Sequence, residues 1–273
     1  MRKQAVLLGL LLAATGICLS ASGGSESDET AAFRSLGYCL TCTELEVRSK
    51  IDFAGDRRPE HTLSLEGNIK VPEREDAVAV TKELEAVEAV DADGQSVLEA
   101  APARRTGSRK REFAPVNEGK VDVEVKRLKL TANPYTIRSM RLEAQVVVAK
   151  QRDSRRLAAV VTEDMQELVP GLSVRIESIR LTAKRELTAV VRYERSSEDT
   201  SGPFLEELWM LGADGTQIAG GRWTKGDPFG EAGSLTAQMG LPGTAEPKYV
   251  RLVAVTKSET KTLQFDVRGI FQN

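Results

Sequence analysis

Ala89-Val90-Asp91-Ala92-Asp93-Gly94-Gln95-Ser96-Val97-Leu98 reads as a strand, a tight turn and a second strand. Trp209-Met210-Leu211-Gly212-Ala213-Asp214-Gly215-Thr216-Gln217-Ile218 repeats the arrangement about 120 residues later. Both turns read Ala-Asp-Gly, where Asp tolerates the turn and Gly accepts the positive φ that right-twisted strands impose on their connection. Two β-hairpins in corresponding places predict a tandem repeat of one β-domain. They describe the building plan of the chain and name no activity.

Outward from the hairpins, apolar and polar residues alternate with a period of two. Leu63, Leu65, Ile69 and Val71 share one face of a strand, as do Leu187, Ala189, Val191 and Tyr193, then Leu235, Ala237, Met239 and Leu241, and finally Leu263, Phe265 and Val267. Val121, Val123 and Val125 alternate too, but Leu128 and Leu130 continue in the opposite phase. A slip of one residue moves side chains to the other face, so a β-bulge is predicted near Lys126-Arg127. The same slip separates Val174 and Ile176 from Ile179 and Leu181. The runs 145–149 and 249–255 are apolar on both sides and are predicted to be central strands. Residues 81–90 contain good helix formers, with Leu84 and Val87 at helical spacing. Their second half is nevertheless read as strand because the hairpin turn follows directly, and 72–76 before them as a loop.

The likeness between the halves extends to their ends. Val146-Val147-Val148-Ala149-Lys150, a polar turn and Leu157-Ala158-Ala159-Val160-Val161 resemble Leu252-Val253-Ala254-Val255-Thr256-Lys257, a polar turn and Leu263-Gln264-Phe265-Asp266-Val267. Pro170-Gly171 supplies a break between the halves. Short strands separated by turn signals predict an all-β protein of two tandem antiparallel β-sandwich domains, at 43–168 and 169–273. The order Leu172 to Ile176, Leu187 to Tyr193, the Ala213-Asp214-Gly215 hairpin and a closing strand through Phe265-Asp266-Val267-Arg268 resembles a family of exported bacterial proteins with tandem immunoglobulin-like sandwiches. That resemblance covers roughly residues 43–273 and implies a fold and an exported location, with no catalytic residue.

The start of the chain agrees with export. Arg2 and Lys3 precede an apolar run from Ala5 to Ala14 and a small-residue stretch Ser20-Ala21-Ser22, the plan of a signal peptide over 1–22 cleaved near Ala21 or Ser22. Lipid attachment at Cys18 is the rival, disfavoured by Ile17 where a lipobox wants a small residue. Residues 23–42 are read as a flexible leader ending in a Cys-x-x-Cys pair. No later stretch reaches the 18 apolar residues of a transmembrane helix, so the exported product is expected to be soluble, in the periplasm or outside the cell.

Removing the signal peptide shifts the net charge from −2 to −4. Basic residues are dispersed and aromatics make up 5%, which argues against nucleic acid as a partner. The exception is the loop Arg104-Arg105-Thr106-Gly107-Ser108-Arg109-Lys110-Arg111, with five positive charges in eight residues. A solvated loop explains it; a contact for a polyanion or an acidic partner is the functional alternative.

Few residues could carry chemistry. Cys39 and Cys42 are expected to form a disulfide in an oxidising compartment, with free or intermolecular thiols and a thiol redox pair as the alternatives. Neither a zinc site nor any other metal site is expected: His61 is the only histidine and no further cysteine follows Cys42. His61 would also have to serve any Ser-His-Asp arrangement, yet it sits in an alternating strand and no Gly-x-Ser-x-Gly elbow occurs. The pairs Glu44 with Glu46 and Asp122 with Glu124 alternate with apolar residues, as the wet face of a sheet requires, while Glu206 and Glu207 are neighbours. Asp91 and Asp93 suggest a fragment of a calcium loop, but Ala89 and Ala100 stand where the first and twelfth ligands would be. Trp209 and Trp223, the only tryptophans, flank the second hairpin; burial in the core is expected, with sugar stacking as the alternative.

The expectation is therefore an exported, non-enzymatic binding or scaffold protein of the periplasm or cell surface that needs no cofactor. Its binding candidates are Arg104, Arg105, Arg109, Lys110, Arg111, Trp209 and Trp223, and its partner a protein or polysaccharide of the cell envelope. A carbohydrate-binding or carbohydrate-enzyme accessory module and an envelope thiol redox protein are the alternatives.

Overall fold

The computed structural model describes residues 34–50, 59–99, 112–196 and 202–269. Over these residues the protein is all-β, built from antiparallel sheets with a short 3₁₀ turn at Pro134–Thr136. The chain falls into two compact units, Met1–Glu73 with Thr81–Gln145 and Thr262–Asn273, and Arg74–Val80 with Val146–Lys261. The long strands β8 (Ile137–Ala158) and β15 (Tyr249–Arg268) supply residues to both units.

In the first unit, β1 (Arg34–Ser35), β2 (Tyr38–Lys50), β3 (Glu60–Lys70) and β7 (Lys120–Leu130) form a sheet in that order. Leu63, Leu65, Ile69, Val121, Val123 and Val125 are buried, so the alternation marks the core face of this sheet. The expected bulge is present: Leu63 pairs with Leu128 but Leu65 with Val125, and Arg127 adopts φ 45° while its N–H donates to Ser64 Oγ. In the same unit β5 (Glu85–Asp91) pairs with the first part of β8, the short strand β6 (Phe113–Pro115) precedes β7, and Leu263, Phe265 and Val267 at the end of β15 are buried.

In the second unit, β14 (Ala232–Gly240), β11 (Glu186–Arg195), β10 (Leu172–Leu181) and β9 (Gln166–Val169) make one sheet. Its register shifts between Ile176 and Ser178, where the phase slip placed a bulge. Opposite lie β13 (Gln217–Arg222), β12 (Phe204–Leu211) and the first part of β15, and β4 (Ala77–Thr81) is carried by the second part of β8. Val174, Leu187, Val191 and Leu235 from the first sheet share one apolar cluster with Leu208, Met210, Val250 and Leu252 from the second. Each large apolar side chain taken from water contributes about 1.5–3 kcal/mol, so this layered core is the main stabiliser of the unit.

The two hairpin turns have the same hydrogen bonds. Asp91 N–H donates to Gln95 and Gly94 N–H to Asp91; Gly212 N–H donates to Thr216 and Gly215 N–H to Gly212. Gly94 and Gly215 take φ of 76° and 83°, which is why glycine stands at that place in both.

Candidate functional site

Leu208 and Met210 point into the core of the second unit and are fully buried, so alternation sends Glu207 and Trp209 to the opposite face of β12. Val250 and Leu252 do the same on β15 and leave Tyr249 and Arg251 on that outer face. Trp209 stands in register between Gly220 on β13 and Arg251 on β15. A Cβ on Gly220 would come within 2.5 Å of both the Trp209 ring and the Leu208 carbonyl, so the missing side chain is what lets the indole lie down over β13. The indole N–H donates to Glu207 Oε2 at 2.9 Å, and the Arg251 guanidinium lies over the ring with Cζ 6.0 Å from its centroid. One strand position along, Arg156 from β8 lies over Tyr249 at 4.6 Å. Trp209, Tyr249 and Arg251 are half-buried, and Arg156 and Gln217 are exposed.

Trp223 behaves differently. It is 8% exposed and belongs to the apolar cluster, as the core expectation had it, so the two tryptophans do not form a joint platform. Phe229 is buried and packs on Phe204 with ring centroids 4.7 Å apart. The segment around it is tied down from below: Tyr193 Oη donates to the Asp227 carbonyl, and buried Arg195 donates to the carbonyls of Pro203 and Phe229 at 2.6 and 2.7 Å.

Glu206 and Glu207 are adjacent in sequence but not in function. Glu206 is buried, with only 4% of its side chain exposed, and accepts from Arg152 Nε and Nη2 at 2.5 and 2.9 Å and from Arg222 at 3.3 Å. Arg152 also grips Asp76 through Nη1 and Nη2. The Arg152 hydrogen bond holds the Asp76 carboxyl below its ordinary value, and the two acids push Arg152 up, so the arginine is a permanent cation. This arrangement surrounds the Glu206 carboxylate with guanidinium donors from two arginines. It is a brace in the second unit, and it separates the two glutamates as acid and base partners.

The expected disulfide is corrected. Cys39 and Cys42 are free thiols within β2, paired with Lys70 and Gly67 of β3. Residues three apart on an extended strand are about 10 Å apart and face opposite ways, whereas a disulfide needs Cα atoms within about 7 Å. Burial pushes the Cys42 thiol up to about 11, which keeps it protonated and a poor nucleophile.

Arg104, Arg105, Arg109, Lys110 and Arg111 lie outside the described residues. His61 meets Ser49 Oγ through Nδ1 at 2.8 Å, a satisfied ring on a strand. Glu46 pairs with Arg48, and Glu124 with Lys126 at 2.8 Å. Asp91 Oδ1 accepts from the N–H groups of Asp93 and Gln95, so the turn itself occupies it.

No family model and no curated protein matches the chain. Of the sequence candidates, the structure gives Trp209 a surface setting and surrounds it with residues that sequence reasoning passed over, Tyr249, Arg251, Arg156 and Gln217. Tyr249-Val250-Arg251-Leu252 carries the signal in its alternation: with Val250 and Leu252 inward, Tyr249 and Arg251 must share the other face. Arg156 carried none, because its position over Tyr249 is a contact between strands remote in sequence.

Proposed function

We propose that the protein is an exported binding or scaffold module of the periplasm or cell surface, acting without catalysis. Trp209 is the observation that carries this reading. It is the largest side chain type in the chain, its ring rests half-buried against Gly220 on the outer face of a sheet, and the core beneath is already filled by Leu208, Met210 and Trp223. Aromatic side chains in such settings supply contact area at low entropic cost and dominate recognition surfaces. The finer fold reading, two tandem immunoglobulin-like sandwiches, belongs to the same proposal and draws support from the two facing sheets of the second unit and from the matching turns at Asp91–Gln95 and Gly212–Thr216. Export draws support from Arg2, Lys3 and the apolar run that follows them.

The enzyme form of the carbohydrate reading loses its carboxylate pair to the Arg152 brace. The thiol redox alternative loses ground to the high Cys42 thiol and the opposite directions of the two cysteines. Cross-linking in the native cell envelope, followed by purification and mass spectrometry, tests the proposal. Capture of the same envelope component by the wild type and its loss in Trp209→Ala supports a binding module; identical capture by both variants overturns the assignment of the surface.

A further inference from the structure

The sheet β1-β2-β3-β7 of the first unit has one covered edge and one open edge. Beside β7, Leu84 N–H donates to the Glu124 carbonyl, Glu124 N–H to Lys82 and Glu99 N–H to Lys129, so the chain covers that edge itself. In the second unit β14 is covered in the same way by Thr224 and Lys225, whose N–H groups donate to the Thr236 carbonyl. On β2, by contrast, β1 pairs only with Tyr38 and Cys39. From Leu40 to Lys50 the side of β2 turned away from β3 has no strand and no bridge among the described residues. The core-facing row shows the consequence: Leu45 and Val47 stay half-buried, while Leu65 and Leu63, opposite them on β3, are 1% and 0% exposed. An unpaired row of backbone N–H and C=O groups is a template for a further strand.

We infer that this edge joins a second copy of the chain, β2 against β2, antiparallel about a two-fold axis at Val47. The charges along the strand select that occupant. After the register shift between Cys42 and Glu44, residues Glu44 to Lys50 run regularly and pair one-to-one with Glu66 to Glu60. Leu45, Val47 and Ser49 take the face of Leu65 and Leu63, and Glu44, Glu46, Arg48 and Lys50 take the other. An axis at Val47 sets Glu44 opposite Lys50 of the second copy, Glu46 opposite Arg48, and Val47 opposite Val47, and symmetry repeats each charged pair. Moving the axis by one residue sets Glu46 or Arg48 against its own copy; moving it by two sets Glu44 against Glu46 or Arg48 against Lys50. Like charges directly opposite destabilise a pair of strands, so a single register survives. Arg48 already donates to Glu46 Oε1 at 2.7 Å within the strand, but this pair faces water, contributes little by itself and is readily shared with the second copy. The sheet then runs β7-β3-β2-β2-β3-β7 through both copies and covers Leu45 and Val47 of each. This pairing does not depend on what Trp209 binds.

Sedimentation velocity of the mature chain over rising concentration tests the pairing, with hydrogen exchange of the peptide covering 44–50 and thermal melts of every variant as a fold control. A monomer–dimer equilibrium is expected, with the 44–50 amides gaining protection as the dimer fills. Glu44→Lys sets a lysine against Lys50 of the second copy twice per dimer, and is expected to weaken association about tenfold, a loss of about 1.4 kcal/mol. Combining Glu44→Lys with Lys50→Glu is expected to restore it. Residues 44 and 50 lie about 20 Å apart along an extended strand, too far to compensate each other within one chain, so recovery reports a contact between copies. Dimers that Glu44→Lys leaves unchanged, or that the double variant fails to recover, overturn the β2 register. A monomer at every concentration overturns the pairing, whether its 44–50 amides exchange freely or are protected within the same chain.

Discussion

Arg152 holds Glu206 with two nitrogens of its guanidinium, Nε at 2.5 Å and Nη2 at 2.9 Å, beneath a surface that leaves 4% of the glutamate side chain in contact with water. Two residues separated by 54 positions thus close a buried ion pair, extended outward to Asp76 and sideways to Arg222. Removing one member of such a pair strands the other charge, whereas removing the buried acid strands nothing that water or Asp76 cannot serve.

An asymmetry follows for mutants of this pair. Arg152→Ala is expected to cost about 3 kcal/mol in urea denaturation, the low end for breaking a buried pair because Arg222 still reaches Glu206. Glu206→Met is expected to cost less, since Arg152 keeps Asp76. Equal losses in the two variants would contradict the brace.

Asp76 gives the pair a pH signature. Its carboxyl is held below the ordinary value by Arg152, so the stability it adds is present above the unfolded value near 3.9 and is lost as pH falls through the lower folded value. Urea midpoints of the wild type measured from neutral pH down into that acid range should fall more steeply than those of Asp76→Asn. Parallel curves would show that the contact contributes nothing to acid stability.

Cys42 titrates in the opposite sense. Its thiol is pushed by burial from 9.0 to about 11, so its contribution is fully present below 9.0 and is lost as pH rises toward 11. Iodoacetamide at pH 8 should label Cys42 far more slowly in the native protein than in urea, as read by peptide mapping. Equal rates would place the thiol at the surface.

Gly220→Ala tests the close approach on the outer face. The new methyl would meet the Leu208 carbonyl and the Trp209 ring at 2.5 Å, so the strand or the indole must shift. A melting temperature several degrees lower is expected, the size of effect that about 1–3 kcal/mol of overpacking produces, together with a red-shifted tryptophan emission. An unchanged melt and spectrum would mean that the ring does not rest on Gly220.

The two tryptophans should separate by quenching. Trp223→Phe leaves the half-buried Trp209, whose emission iodide should reduce, whereas Trp209→Phe leaves an indole that is 8% exposed and shielded. The reverse order would exchange their assigned places.

Much of the fold is visible in local chemistry. Asp-Gly at 93–94 and 214–215 fixes two turns because a glycine at positive φ is a property of its own backbone. The phase slips at Lys126-Arg127 and after Ile176 fix two bulges because a strand has only two faces. Valines 146–148 announce a strand covered on both sides, and all are buried. The sequence by itself therefore determined the class, many inward faces and several irregularities, whereas the polar stretches it marked as turns before Leu157 and before Leu263 lie inside the continuous strands β8 and β15.

What the tertiary structure decided is partnership. Residues 74–80 join the second unit because Ala77 and Val80 pair with Val148 and Val146, a choice that no local pattern records. Cys39 and Cys42 look like a closed loop until β2 is drawn out straight and turns them to opposite faces. Glu206 and Glu207 look like a pair until β12 sends one to Arg152 and the other to Trp209. Arg156 acquires meaning only beside Tyr249, 93 positions away along the chain. Alternation tells each side chain which face it takes, because that is set by its own backbone; which side chains meet on that face is set by strand order and register, and those depend on contacts between segments that the linear sequence keeps far apart.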